Sequence, residues 1–147
     1  MISIHPQYIK DINGKKSLVI LPAKEFAAII EGLEDIKIYD EAKKEDKGER
    51  ILFYDYLKHR KQKGWLYCFL IQKSTKQLDK LSDLIAKPIL VAISKLATNL
   101  RPAGCKKLKG RDGFRLRVGN YRILYDIYDT ELVVDVIALG HRKEVYR

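Results

Sequence analysis

Three short apolar stretches near the C-terminus, separated by tight turns, most constrain what this chain can fold into. They are rich in branched and aromatic side chains and comprise residues 114–118, 121–128 and 132–140. Gly119-Asn120 and Asp129-Thr130 stand between them, and both pairs favour reverse turns. Strands joined by such short turns pair in antiparallel fashion. The C-terminal part of the chain is therefore predicted to contain an antiparallel sheet.

Alternation in the first of these strands separates apolar from basic side chains. Successive side chains of a strand point to opposite faces, so Phe114, Leu116 and Val118 share one face. Arg115 and Arg117 fall on the other face. Because an apolar face needs cover, we expect a sheet with helices on one face and an open basic surface on the other.

The residues before these strands predict one further strand and two helices. An apolar run from Trp65 to Gln72 is typical of a strand, and Ser74 can cap a short helix after it. A second helix has an apolar face over residues 89–97, although Pro88 would kink or restart it. The predicted order from Trp65 onward is β-α-α-β-β-β, an α+β domain with helices on one face of a mainly antiparallel sheet.

The first part of the chain predicts a hairpin and a long helix. Asn13-Gly14 is a strong hairpin signal and lies between apolar stretches at residues 8–12 and 17–21. Pro22 suits the first turn of a helix that runs to about Lys44 and stops before Gly48. One apolar stripe follows this helix and consists of Phe26, Ile29, Ile30, Leu33 and Ile36.

The segment after this helix, residues 45–64, is predicted to be an extended tail. It carries an apolar strip in charged surroundings, too short to have a core of its own, and the strip consists of Ile51, Phe53, Tyr54 and Leu57. Such a strip needs a partner surface. The polar run from Arg60 to Gly64 is the predicted boundary between a domain of residues 1–64 and a domain of residues 65–147.

Charge is unevenly divided between these two parts. Residues 1–64 contain 13 basic and 11 acidic side chains, net +2, whereas residues 65–147 contain 16 and 8, net +8. Within the first part, Glu31 to Tyr56 holds nine acids against five bases. An acidic stretch thus precedes a basic domain, as expected if one neutralises the other. Two separate solvated surfaces would give the same statistics.

Several classes of function find no support in the sequence. Cys68 and Cys105 do not make a disulfide framework, and no histidines or cysteines reach the spacing of metal ligands, so we expect no metal and no cofactor. A glycine-rich phosphate loop and a nucleophile elbow are also absent. No apolar run approaches the ~20 residues of a membrane span. We expect a cytoplasmic protein that does not bind membranes.

Cations interleaved with aromatic rings remain as the chemical feature of the C-terminal part. Phosphates bind cations and unstacked bases stack on aromatic rings, so this mixture is typical of RNA binding. On the residues alone, a solvated basic face is the commoner explanation, because strand edges often carry lysine and arginine. The candidate RNA-binding side chains are Lys106, Lys107, Lys109, Arg111 and Lys143.

The same region carries a resemblance to a known family. Lys107-Leu108-Lys109-Gly110, residues 114–125 and residues 140–146 are similar to the RelE/ParE toxin superfamily, in its RelE branch. The resemblance covers the chain from Trp65 onward. Residues 1–64 resemble the short RelB- or Phd-like antitoxins encoded beside such toxins, with residues 45–64 as the toxin-wrapping tail. The chain thus resembles an antitoxin and its toxin joined in one polypeptide, with Ile51, Phe53, Tyr54 and Leu57 at their interface.

The resemblance implies a toxin that inhibits translation as an endoribonuclease. RelE-type toxins cut mRNA in the ribosomal A site, by attack of the ribose 2′-hydroxyl on the adjacent phosphate. The catalytic positions of the family are matched here by Arg115 and Arg117 beside the scissile phosphate, Arg122 at the transition state, Arg142 near the leaving group and Tyr146 as the terminal tyrosine. The implied partners are mRNA in the A site, the antitoxin segment in cis or by domain swap, operator DNA and a second copy in a homodimer.

Two other functions use the same fold. A ParE-like gyrase inhibitor would not need Arg122, Arg142 and Tyr146 together, so their joint presence favours the ribonuclease. A non-catalytic autorepressor complex would use the toxin only as a corepressor. Positions 115 and 117 hold arginine where the best-known relatives hold lysine, which argues against proton transfer there because arginine stays protonated. His141 is expected to flank the site.

Overall fold

A computed structural model of the chain describes residues 3–59, 68–129 and 133–141. The elements, in chain order, are β1 (Gln7–Lys10), β2 (Lys16–Ile20), α1 (Ala23–Glu45), β3 (Arg50–Leu52), α2 (Phe53–His59), β4 (Cys68–Ile71), α3 (Gln72–Asp79), α4 (Asp83–Leu96), β5 (Lys106–Lys107), β6 (Phe114–Val118), β7 (Tyr121–Tyr128) and β8 (Val133–His141). The predicted α+β class is confirmed. Contacts divide these residues into two compact units, one up to Glu34 and the other from Asp35 onward.

The first unit contains the predicted hairpin and the first part of α1. β1 and β2 pair in antiparallel fashion, and the Asp11 carboxylate closes the turn by accepting from the backbone N–H groups of Asn13 and Lys15. Gly14 has φ +76°, a conformation that glycine adopts without strain. The apolar stripe of α1 is only partly buried in this unit, since Phe26 is 45% exposed and Leu33 59%.

The second unit is built on a six-stranded sheet in the order β3-β4-β8-β7-β6-β5. All neighbouring strands are antiparallel except β4 and β8, which are parallel. The three C-terminal strands form the predicted meander, and the bounds of β6 and β7 agree with the prediction. The two-residue strand β5 at the far edge was not predicted.

Helices cover both faces of this sheet. α3 and α4 bury Leu78, Ile93 and Leu96 in the main core, against apolar side chains of β4, β7 and β8. On the other face, Tyr39 and Ala42 of α1 pack in a second cluster that includes side chains of β7 and β8. The two helices predicted after Trp65 thus share one face of the sheet, as predicted, and α1 of the preceding segment covers the basic face. The cover comes from the second half of α1, which reaches back over the strands that follow it.

The segment after α1 is not an extended tail. A turn at Gly48, with φ +86°, leads into β3, and α2 follows it directly. Phe53 and Leu57 are 0% and 2% exposed and lie in the main core, whereas Ile51 pairs with Leu70 of β4 and is 37% exposed. Phe53 and Leu57 are four residues apart and so share one face of a helix. This spacing explains why the segment forms α2 instead of the predicted extended tail. The predicted boundary at residues 60–64 lies outside the described residues and stays a prediction.

Two details of the helices also differ from the prediction. α3 begins at Gln72 after an N-cap at Ile71, so Ser74 lies inside the helix and caps nothing. Its buried hydroxyl lies instead 2.8 and 2.9 Å from the carbonyl oxygens of Ile71 and Val136, which share its single proton. α4 runs through Pro88 without a restart. Pro88 is the sixth residue of α4, so the helix lacks the hydrogen bond that an N–H at this position would donate to the Leu84 carbonyl.

We predict that Ser74→Ala lowers the free energy of unfolding by about 1–2 kcal/mol, because a buried hydroxyl that links α3 to β8 is lost. Thr75→Ala is the matched control, since its hydroxyl donates at 3.2 Å only to the Ile71 carbonyl, within the same helical turn. We expect a smaller loss there. Urea unfolding followed by circular dichroism measures both, and equal losses would contradict a tie between helix and sheet.

Candidate functional site

Strand register brings four of the predicted basic side chains onto one face of the sheet. Three of them, Arg115, Arg117 and Arg122, are called the arginine row below. Arg117 of β6 lies directly opposite Arg122 of β7, and Lys106 of β5 lies opposite Arg115 of β6. Directly opposite residues share a face of the sheet, so all four cations belong to the face that α1 covers. Like charges placed side by side repel, and such a row therefore favours a bound anion.

Arg122 is held in place by three different groups. Its side chain is 2% exposed and lies across Gly140 of β8, where an added Cβ would be 3.0 Å from Nε. Nη2 donates to the backbone carbonyl of His141 at 3.2 Å, and Nη1 donates to Oδ1 of Asp35 at 2.7 Å. The glycine makes room for the guanidinium, and the two acceptors fix its orientation.

Asp35 of α1 bridges two arginines. Its Oδ2 lies 3.3 Å from Nε of Arg115, while Oδ1 accepts from Arg122. Asp35 is 3% exposed and Arg115 6%, so both charges are almost removed from water. Arg117, in contrast, is exposed. One buried carboxylate thus joins Arg115 and Arg122, two of the predicted catalytic residues.

The other end of the covered face carries acids, and α1 and β3 bring cations to them. Asp126 accepts from the Tyr39 hydroxyl at 2.6 Å and from Lys43 Nζ at 2.8 Å. Asp135 lies opposite Asp126 in the β7–β8 register and accepts from Nε of Arg50 at 2.8 Å. α1 therefore places the acid Asp35 over the basic end of the sheet and the cation Lys43 over its acidic end, and this charge complementarity fixes the direction of the helix.

Burial and pairing set the protonation states at this acidic end. Burial raises the pKa of Tyr39, and its hydrogen bond to Asp126 raises it further. Burial is the largest single effect on Lys43 and acts to lower its pKa, but the hydrogen bond with Asp126 and the charges of Asp126, Tyr128 and Asp135 together raise the pKa. Burial raises the pKa of Asp135, against the charge and hydrogen bond of Arg50. At neutral pH Tyr39 is a neutral donor and Lys43 a cation.

Lys106, Lys109 and Arg111, three of the predicted RNA-binding residues, lie at the rim of this face, whereas Lys107 is opposite Phe114 and so belongs to the other face. Lys106, Lys107 and Lys109 are exposed. Arg111 is also exposed and forms a two-point pair with Asp40 of α1, with both distances 2.7 Å. The hydrogen bonds from Arg111 lower the pKa of Asp40. Solvent screens this pair, unlike the buried bridge at Asp35.

The remaining predicted residues are either peripheral or not described. Arg142, Lys143 and Tyr146 lie outside the described residues. The His141 ring packs edge-on against Tyr121, with centroids 5.0 Å apart. Both rings lie on the side of the sheet that α4 covers, so His141 is on the face opposite Arg122. Among residues 3–59, 68–129 and 133–141, no three His, Cys, Asp or Glu side chains converge as a metal site requires. No helix in this part of the chain has the length and apolarity to cross a membrane.

The sequence interpretation missed the groups by which α1 contacts the sheet. Asp35, Tyr39 and Lys43 follow one another at intervals of four residues, so they share one face of the helix. Gly140 was also missed as the residue that makes room for Arg122. The four-residue spacing was the available signal. It was not decisive, because α1 has charged side chains on every side and its apolar stripe predicted a different buried face.

Residues 69–146 match the family described as the ParE toxin of type II toxin–antitoxin systems, parDE. This region contains β5 to β8, nearly all of β4 and the arginine row, and it is a toxin domain. The match takes in more than half of the chain. The chain therefore belongs to the ParE toxin family of type II toxin–antitoxin systems. The match does not include residues 1–68, so their antitoxin nature stays a prediction.

Three solved structures are similar to part of this chain. The isolated E. coli RelE toxin is 19% identical, with a TM-score of 0.48, over 53% of this chain and 85% of that one. The toxin–antitoxin complex RelBE2 from Mycobacterium tuberculosis is 25% identical, with a TM-score of 0.47, over 52% of this chain and 98% of that one. The intact E. coli RelBE complex is 24% identical, with a TM-score of 0.46, over 53% of this chain and 98% of that one. No curated protein matches the chain.

Proposed function

We propose that residues 65–147 form a ribosome-dependent mRNA endoribonuclease and that the N-terminal segment is an antitoxin that inhibits it. One observation carries this proposal. A carboxylate from the acidic segment, Asp35, is bound between Arg115 and Arg122, two side chains that match catalytic positions of RelE-type toxins. The acidic segment thus neutralises the part of the toxin that would bind the phosphate of RNA.

The arginine row suits the chemistry of RNA cleavage. Attack of the 2′-hydroxyl on the adjacent phosphate gives a pentavalent phosphorane with more negative charge than the substrate. Fixed guanidinium donors bind this species better than the ground state, which accelerates the reaction. Arg122 is fixed by Gly140 and the His141 carbonyl and would donate to the phosphorane, with Arg115 and Arg117 beside it.

Proton transfer needs groups other than these arginines, because arginine remains protonated at any physiological pH. By position, Tyr146 would accept the 2′-proton and Arg142 would stabilise the leaving group. A tyrosine can act as a base near neutral pH only if neighbouring cations depress its pKa from about 10. The basic side chains of Lys106, Lys107, Lys109, Arg111 and Lys143 would hold the flanking RNA. Operator DNA and a homodimer stay predictions.

Inhibition of DNA gyrase is the second candidate function, and the family description favours it because it names the ParE toxin. A gyrase inhibitor would use the exposed basic residues for binding and would need no group placed for phosphoryl transfer. The two functions differ in a direct assay. One yields new mRNA ends, and the other blocks supercoiling of plasmid DNA.

We predict that residues 48–147 arrest translation and cut mRNA at A-site codons, whereas the full chain does neither. This fragment lacks α1 but keeps Phe53 and Leu57, which fill the main core. Residues 65–147 alone are also expected to arrest translation, with a lower yield of folded protein. Mapping of mRNA ends in a translation extract measures cleavage, and Arg122→Ala in the fragment is the control.

The outcomes of this experiment separate the candidate functions. Blocked supercoiling without new mRNA ends would favour gyrase, and neither effect would favour the autorepressor complex. The full chain is expected to stay inactive at every dilution, because a short connection from α1 to β3 keeps the inhibitor at a high effective concentration. Cleavage that appears on dilution together with a loss of dimer would indicate exchange of the segment between two copies.

A further inference from the structure

Asp35 differs from the other acids that pair with the covered face. Asp40 forms its pair with Arg111 at the exposed rim, where both side chains are at least 40% accessible. Asp35, Arg115 and Arg122 are each at most 6% exposed. Of these pairs, only the one at Asp35 is enclosed at the arginine row, the place where the proposed reaction needs an anion.

A carboxylate and a phosphodiester present the same feature to guanidinium groups. Each has two equivalent oxygens that share one negative charge, and arginine binds both with short charge-assisted hydrogen bonds. Asp35 offers one oxygen to each arginine, at 2.7 Å to Arg122 and 3.3 Å to Arg115. The two nonbridging oxygens of a phosphodiester could take the same two positions.

We infer that Asp35 is a built-in substitute for the scissile phosphodiester and occupies the phosphate subsite formed by Arg115 and Arg122. This inference rests on the proposed function and gives it a mechanism of inhibition. The antitoxin segment does more than cover the site by bulk. It fills the anion subsite with its own carboxylate, so RNA must displace Asp35 before its phosphate can bind.

Packing one helical turn further along α1 holds Asp35 in this position. Gly113 lies under the Tyr39 ring, and a Cβ added to Gly113 would overlap that ring. Tyr39 is itself tied to Asp126 by its hydroxyl. Tyr39 is four residues from Asp35 and so lies on the same face of α1. The packing of the Tyr39 ring against Gly113 therefore positions the Asp35 carboxylate over the arginines. A substitution at Gly113 can therefore displace α1 without changing any charge.

Titration of the full chain with inorganic phosphate tests this subsite. The arginine Nε–Hε signals of Arg115 and Arg122 in the NMR spectrum report phosphate binding directly. In the wild-type chain these signals are expected not to respond. In Asp35→Asn they are expected to shift and saturate, with an apparent affinity higher by about tenfold or more, because an intramolecular competitor of roughly millimolar effective concentration is removed.

Asp40→Asn is the matched control, since it removes one carboxylate from the same helix and breaks the rim pair with Arg111. It is expected to leave the signals of Arg115 and Arg122 unresponsive. An equal response in Asp40→Asn would overturn the inference, because general loss of acidic charge would then suffice. A folded Asp35→Asn chain that ignores phosphate would overturn it as well.

Gly113→Ala decides the question if Asp35→Asn does not fold. It keeps every charge and displaces Tyr39, so it is expected to raise the phosphate response of Arg122 above that of the wild type. No rise would contradict the inference. Cleavage of mRNA by the variants is measured separately. A phosphate response without cleavage would contradict the proposed ribonuclease and leave the anion subsite standing.

Discussion

Arg122→Ala is expected to lower the rate of mRNA cleavage by the fragment 48–147 by about 10²–10³-fold, the usual cost of one fixed donor to a developing oxyanion. Arg122 is fixed by Gly140 and by the carbonyl of His141, so no neighbouring side chain can take its position without rearrangement. Single-turnover cleavage on ribosomes programmed with mRNA measures the rate.

Lys95→Ala is the matched control for charge. Lys95 is an exposed residue of α4, on the face of the sheet opposite the arginine row, and its removal changes the net charge by the same amount. We expect little change in the cleavage rate. Equal cleavage by Arg122→Ala and the unmodified fragment would remove Arg122 from the mechanism.

The same substitution has a different consequence in the full chain. A solvated arginine on a strand would contribute less than about 0.5 kcal/mol to stability. Arg122 is instead buried with Asp35, but Asp35 also pairs with Arg115, so Arg122→Ala leaves one carboxylate with one guanidinium. Asp35→Asn removes the carboxylate from both buried arginines, and loss of one partner of a buried ion pair costs roughly 3–5 kcal/mol because the other charge is left behind. Asp35→Asn is therefore expected to be more destabilising than Arg122→Ala, and the double variant less destabilising than Asp35→Asn alone. Urea unfolding of the three variants gives the comparison.

The parts of the fold that the sequence predicted well are those set by local signals. β6 and β7 follow from alternation and from the turn at Gly119-Asn120, which also places Arg117 opposite Arg122. The hairpin at Asn13-Gly14 and the bounds of α1 likewise depend on residues close together in the chain. For these elements the local preferences and the final structure agree, so a single sequence suffices.

The cover over the arginine row depends on contacts between distant residues. Asp35 and Arg122 are 87 positions apart, and Asp35 is one of nine acids between Glu31 and Tyr56. Charge statistics showed that an acidic stretch could neutralise the basic domain. They could not select which carboxylate would be buried, because that choice depends on the packing of Tyr39 on Gly113 and on the pairing of Lys43 with Asp126.

Phe53 and Leu57 illustrate the same limit, and their replacement is expected to have the largest effect on stability. The sequence predicted that Phe53 and Leu57 bind a tail to the toxin surface. On that prediction, replacing them with alanine would release the tail and activate the toxin. Both side chains are instead enclosed in the main core with Leu70 and Leu78. Truncation to alanine costs about 3–5 kcal/mol for a buried phenylalanine and 2–5 kcal/mol for a buried leucine.

The double variant Phe53→Ala, Leu57→Ala is therefore expected to unfold most of the chain, because single domains have only about 5–15 kcal/mol of stability. Ile51→Ala is the control from the same segment, since Ile51 is 37% exposed and its truncation leaves no enclosed cavity. Circular dichroism and mRNA cleavage are measured together. A folded double variant that cuts mRNA would mean that β3 and α2 are a removable inhibitor. An unfolded and inactive one would mean that they complete the toxin core.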